Sequence, residues 1–230
     1  MKKAVFFFIF SLLIVIDLYA QPIVVLKAAG YGRNEIAFDK AWKFNFQFAP
    51  NKDDQKYVNL PHTWNALDPL IGNKDYKRTT GIYEDVFYAD KSLNDKRVFL
   101  YFYGANSVAY VYVNGSFVGK HIGGYTAFCF EISKYLKIGS GNAVKVEVSN
   151  AYDPDVFPLS PDFNTYGGLH RKVSLIVTSA NCITPLDYAS SGIYIKEKKV
   201  SNDDAELQVT AKLSIHDSLS SLQVKTIIYD

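Results

Sequence analysis

The chain has 230 residues, 48% of them hydrophobic and 15% aromatic, and a formal net charge of +2 at pH 7. That hydrophobic share supports a packed core and excludes an intrinsically disordered chain. The near-neutral balance offers no basic surface of the kind that nucleic acid or anionic lipid requires, so neither is an expected partner.

Met1-Lys2-Lys3 is a positive start, Ala4 to Ile16 is apolar but for Ser11, and Ala20 is a small residue before Gln21. This order predicts a secretory signal peptide over residues 1–20, with an uncleaved membrane anchor as the competing reading. The apolar run is 13 residues long, against the roughly 20 that a spanning helix needs. The expectation is therefore export, to the periplasm or outside the cell, without stable membrane insertion. Removing Lys2, Lys3 and Asp17 with that segment lowers the formal charge from +2 to +1.

Beyond it the strong segments have period two. Arg97 to Tyr103 is one, and Ala127 to Ile132 and Arg171 to Val177 are others. Val108 to Val113 and Ser116 to Val118 flank Asn114-Gly115, the pair that a tight hairpin turn demands, because both central residues need positive φ. Asn142 to Val148 alternates apolar and polar as a half-buried strand does. Ile132 to Leu136 is the one candidate for a short helix. Regular strands with Gly, Asn and Asp turns predict a β-sandwich or jelly roll. Two long segments without periodicity, Asn59 to Thr80 and Asn150 to Gly168, are candidate rims of a binding surface, since long loops in compact domains are usually functional.

After Ser179 the pattern changes. Ile183 to Asp187 reads as a linker, Gly192 to Ile195 opens a strand, Ala205 to Ile215 alternates, and Leu222 to Tyr229 begins a third strand. That is fewer than the seven of an immunoglobulin-like sandwich. Cys129 and Cys182 are the only cysteines. Export permits a disulfide, but packing favours two unpaired thiols, and neither has metal-ligand spacing around it.

Several motifs then appear in order: Asp39-Lys40-Ala41-Trp42-Lys43-Phe44, Leu60-Pro61-His62-Thr63-Trp64-Asn65, Arg78-Thr79-Thr80-Gly81-Ile82-Tyr83, Phe102-Tyr103-Gly104-Ala105, and Val113-Asn114-Gly115. Gly119-Lys120-His121, Gly123 to Phe128, Asp162-Phe163-Asn164, Gly167-Gly168-Leu169-His170-Arg171, Leu186-Asp187-Tyr188 and Gly192-Ile193-Tyr194 follow. Together, over roughly residues 35 to 215, they resemble the N-terminal region of the family 2 glycoside hydrolases, the family of β-galactosidases, β-glucuronidases and β-mannosidases. Thr79 departs from it, standing where the family more often has Gly.

The resemblance implies an all-β fold. A galactose-binding-like jelly-roll sandwich would occupy residues 22–180, followed by a partial immunoglobulin-like β-sandwich over 181–230. It implies a β-galactosidase-like parent enzyme that hydrolyses O-glycosyl bonds with retention. In the family two glutamates on a TIM barrel do that chemistry, and such a barrel takes about 250 residues. The one Asn-Glu pair here, Asn34-Glu35, precedes any place for a barrel. No catalytic residue, cofactor or metal site is therefore assigned.

Candidate sugar-binding residues are Asp162, Asn65, Asp68 and Asn73. The resemblance implies that Asp162 reaches an active-site pocket to hold sugar hydroxyls or a nearby cation; a turn cap after Pro161 is the alternative. Asn65, Asp68 and Asn73 lie where the family also offers an Asn to the sugar, and each is equally a turn former. His62 and Trp64 are expected in the core. Arg171 is expected to form an ion pair or to hold the Asp162 loop. Asn114-Gly115-Ser116 matches a glycosylation sequon that the hairpin already explains. Expected partners are carbohydrate, as a β-glycoside or oligosaccharide, and a catalytic barrel supplied separately. Three readings stand: the non-catalytic N-terminal portion of an exported glycosidase, a free-standing carbohydrate-binding module, or a fragment of a broken reading frame.

Overall fold

The computed structural model describes residues 23–29, 32–48, 55–68, 70, 76–157, 165–216, 221, 223–227 and 229. The expected signal peptide, Asn73 and Asp162 lie outside the described residues.

The strands in chain order are β1 (Val24–Leu26), β2 (Asn34–Ala37), β3 (Trp42–Phe46), β4 (Lys56–Val58), β5 (Thr80–Ala89), β6 (Lys96–Phe102), β7 (Val108–Val113) and β8 (Ser116–Ile122). There follow β9 (Phe128–Glu131), β10 (Ser140–Ser149), β11 (Val173–Ser179), β12 (Cys182–Ile183), β13 (Ile193–Val200), β14 (Ala205–Ala211) and β15 (Leu213–Ser214). The larger sheet runs β4-β3-β5-β10-β7-β8, with β1 added in parallel to β5, and the smaller runs β2-β11-β6-β9. The two pack as a sandwich, the expected all-β architecture. The candidate helix is a single 3-10 turn at Ser133–Tyr135.

Local sequence explains most of this. In β10, Val144, Val146 and Val148 are buried to 1% exposure or less, while Lys145 and Glu147 alternate with them on the other face. Asn114 (φ 51°) and Gly115 (φ 81°) both take the positive φ that the hairpin requires. Asn114 Nδ2 also donates to Tyr135 O and Asn142 Oδ1, and its Oδ1 accepts from Ala143 N. The side chain of the sequon is thus fully used in tying the turn to β10.

Trp42, Phe44, Tyr83, Phe87 and Val146 of the larger sheet meet Leu100, Phe102, Val173 and Leu175 of the smaller in one core. The smaller sheet is buried on its other face too. Phe99, Tyr101 and Ile176 are covered by Ala189, and the Tyr101 hydroxyl donates to Ala189 O at 2.6 Å. That double burial is why Arg97 to Tyr103 is nearly all apolar and its period two is blurred.

Residues past Ser179 form two further ribbons, β12 with β15 and β13 with β14. Arg97 joins the first to the sandwich. Its Nε and Nη2 donate to Glu131 at 3.1 and 2.7 Å, and its Nη1 donates to Ser214 Oγ at 2.7 Å. Every residue of β13 is exposed, as expected for a two-stranded ribbon on which no described residue packs to bury it. The strand expected from Leu222 is not formed in residues 223–227; a strand exists only with a hydrogen-bonded neighbour. Cys129 and Cys182 are unpaired thiols, and burial pushes the Cys129 thiol up to about 12.

Candidate functional site

The two long loops meet at one end of the sandwich. Phe46 pairs with Gly81, Thr80 with Ser149, Ser149 with Val108 and Val108 with Ile122, so the last pairs of four neighbouring ladders form one edge there. Above this edge stand the segments around Trp64, Asn150 and Gly167.

Asn65 is fully buried. Its Nδ2 donates to Thr165 O at 3.0 Å, and its Oδ1 accepts from Gly167 N at 2.9 Å and from Thr63 Oγ1 at 3.1 Å. Asn150, also fully buried, donates to the same Thr165 O at 3.0 Å and to Lys77 O at 3.1 Å, while its Oδ1 accepts from Thr79 N at 2.8 Å. Two asparagines thus sew the loops together. Asp68 lies beside them at partial exposure, its Oδ2 accepting from Lys77 N at 2.7 Å.

Trp64 forms the floor. Its ring lies 6.1 Å from Phe44 and 6.0 Å from Phe46, and its Nε1 donates to Lys77 O. A Cβ on Gly167 would overlap the indole, so only glycine lets that backbone close over the ring. His62 bonds the Tyr83 hydroxyl at 2.8 Å, and burial, helped by nearby Lys56, lowers its pKa. Both residues pack with the core, as expected.

The Gly167-to-Arg171 segment also grips the Gly123-to-Thr126 turn. His170 Nε2 donates to Gly124 O at 2.7 Å, and Arg171 Nη1 donates to the carbonyls of Tyr125 and Tyr103 at 3.0 and 3.2 Å. Arg171 therefore holds carbonyls, and no ion pair is formed by it among the described residues. Next to this grip is a cavity of about 20 Å³ lined by Arg78, Asp153 and Thr165, among others. Thr165 Oγ1 is buried with no hydrogen-bond partner among the described residues, and the cavity holds about one water or one hydroxyl group.

Among the described residues no cluster of three His, Cys, Asp or Glu side chains is arranged to hold a metal ion. No helix among them is long and apolar enough to cross a membrane. Of the candidate residues, Asn65 and Asp68 come together at this end. Asn150, which was not among the candidates, is as central as either. Its signal was parity: it continues the inward series Val144, Val146, Val148, where a polar residue must be satisfied internally.

A family model for the sugar-binding domain of the family 2 glycosyl hydrolases matches residues 43–179. The chain belongs to glycoside hydrolase family 2. This family 2 chain is 39% identical over its whole length to a β-glucuronidase of Bacteroides fragilis, of which it covers 31%. Over 76% of the chain it is 30% identical to a β-galactosidase of Thermoanaerobacter pseudethanolicus, covering 22% of that protein. The crystal structure of a Bacteroides uniformis β-glucuronidase superimposes on 77% of the chain and 22% of its own, with a TM-score of 0.69 and 32% identity. The chain spans about a third or less of the length of these relatives. The matched stretch runs from β3 to β11 and includes the loop end; β1 and β2 precede it.

Proposed function

We propose that this chain is the non-catalytic N-terminal portion of an exported family 2 glycosidase, with a jelly-roll domain over residues 22–180 and part of an immunoglobulin-like domain over 181–230. Its relatives are named β-glucuronidases and β-galactosidases, so the parent reaction is hydrolysis of a terminal β-glycoside. The observation that carries this reading is the sugar-binding-domain match over residues 43–179. In this reading Asp68, Asn73 and Asp162 bind the sugar, Asn65 helps to hold the loop end at which Asp68 stands, and a barrel supplied elsewhere does the chemistry.

The core that the two sheets of the sandwich share supports a second reading, a free-standing carbohydrate-binding module. One experiment separates the two and tests both. The full chain is titrated by calorimetry against galactose, glucuronic acid and mannose, alongside chromogenic β-galactoside and β-glucuronide assays. Saturable binding without turnover supports the module. Neither binding nor turnover supports the dependent portion. Turnover by the chain itself would overthrow the non-catalytic assignment.

A further inference from the structure

A second feature lies away from the loop end, on the outer face of the larger sheet. β5 changes partner midway. Residues Gly81 to Glu84 pair with β3, while Phe87 to Ala89 pair with β1. Among the described residues Asp85 and Val86 therefore have no strand neighbour on that side, and the sheet opens into a groove of about 540 Å³. That volume is within the range of small-molecule and oligosaccharide-sized sites.

Registered pairs place one row of side chains across this face: Tyr57, Lys43, Glu84, Lys145, Tyr112 and Phe117. From Tyr57 to Tyr112 is four strand spacings, about 19 Å. Tyr57 is 56% exposed and so offers an open ring at one end. At the other, the Lys145 ammonium stands 4.3 Å from the Tyr112 ring centre, anchored to Glu147 at 2.7 Å. Between them Lys43 and Lys145 face three carboxyl groups, Glu84 and Asp85 of the groove and Glu147 beside it. Asp85 is half-buried in the groove wall, and its Oδ1 accepts from its neighbour Val86 N at 2.7 Å.

We propose that this groove is a carbohydrate-binding surface, separate from the loop end, for a neutral oligosaccharide chain. An aromatic face packs against the apolar C–H face of a sugar ring. Carboxylates accept pairs of hydroxyl protons, and ammonium groups donate to hydroxyl oxygens. The excess of carboxyl groups favours a neutral chain over a uronic one, whose carboxylates they would repel. The length suits several linked sugars better than one ring, and the concavity suits a chain better than a flat partner sheet.

The test is an NMR titration of the full chain with cellohexaose, xylohexaose and β-1,4-linked galactohexaose in turn, with galacturonic hexamer as the acidic control. At least one neutral hexamer should give saturable shifts at the amides of Val86, Gly115 and Ala143, and the acidic one should bind more weakly. Tyr57→Ala should weaken binding about tenfold, the size of one anchoring aromatic contact, with an unchanged melting temperature. Because the shifts are read on the unaltered chain, the assignment stays testable if the variant misfolds. No shifts with any neutral hexamer, shifts confined to the loop end, or concentration-dependent self-association through this face would each overturn it. Shifts confined to the loop end would support sugar binding there while overturning the groove, so the two assignments fail separately.

Discussion

Asn65 and Asn150 donate to the same acceptor, the carbonyl oxygen of Thr165, each at 3.0 Å. One asparagine comes from the loop after β4 and the other from the end of β10. The shared carbonyl lies 100 residues from the first and 15 from the second. The position of both loops relative to the sandwich therefore rests on two amide groups that water does not reach.

Asn150→Ala should be costly. It removes the donor to Lys77 O and the acceptor for Thr79 N in a buried setting, so a loss of about 2 kcal/mol is expected. Urea unfolding of the two proteins measures it. Asn65→Ala in the same background should be non-additive by more than about 0.5 kcal/mol, because the two side chains share one acceptor. Strict additivity would show that the loops are held independently.

Gly167→Ala should destabilise through overlap of the new methyl with the Trp64 indole, by about 1–3 kcal/mol as overpacking does. Shrinking the neighbour separates the indole from the Asn150 side chain, whose Cγ lies 2.7 Å from the same Cβ position. In a Trp64→Leu background the same Gly-to-Ala change should be far milder. Equal penalties in both backgrounds would assign the requirement to Asn150 instead.

The Arg97 junction should respond to acid. The guanidinium hydrogen-bonded to Glu131 holds that carboxyl below its usual 4.5. A depressed carboxyl contributes stability that is full above the unfolded value and is lost as the pH falls through the folded one. Wild-type protein should therefore lose stability below about pH 4.5 more steeply than Glu131→Gln. Arg97→Met, which also abandons Ser214, should expose residues 182–214 to limited proteolysis while the sandwich stays resistant. Equal cleavage rates in wild type and variant would show that the ribbon is held by other contacts.

Asp85 should behave in the opposite sense. Burial pushes its carboxyl up from 3.8 to about 6, only partly offset by the Val86 amide. A raised acid leaves the folded state holding more protons than the unfolded one between those values, so stability falls as the pH rises from about 4 to 6. Asp85→Asn keeps an oxygen for the amide and removes the charge. It should be more stable than wild type at pH 7 and nearly equal to it at pH 3.5. A variant less stable at pH 7 would mean that the ionised form is favoured by a partner.

Several features were legible in the residues alone. Asn114-Gly115 needs positive φ at two successive positions, and no other local solution suits the flanking strands. The alternation from Asn142 to Val148 assigns an inward face without reference to anything distant. Such properties depend on a residue and its chain neighbours, so sequence by itself determined the hairpin, the parity of β10 and the all-β sandwich. The double burial of β6, the meeting of Asn65 and Asn150 on one carbonyl, and the groove beside Asp85 were decided only by the tertiary structure. Each arises where segments far apart in the chain converge: Ala189 over Tyr101, Thr165 between two loops, and β5 passing from β3 to β1. Burial of a polar group or the opening of a groove depends on which distant segment arrives, and period and propensity carry no information about that arrival.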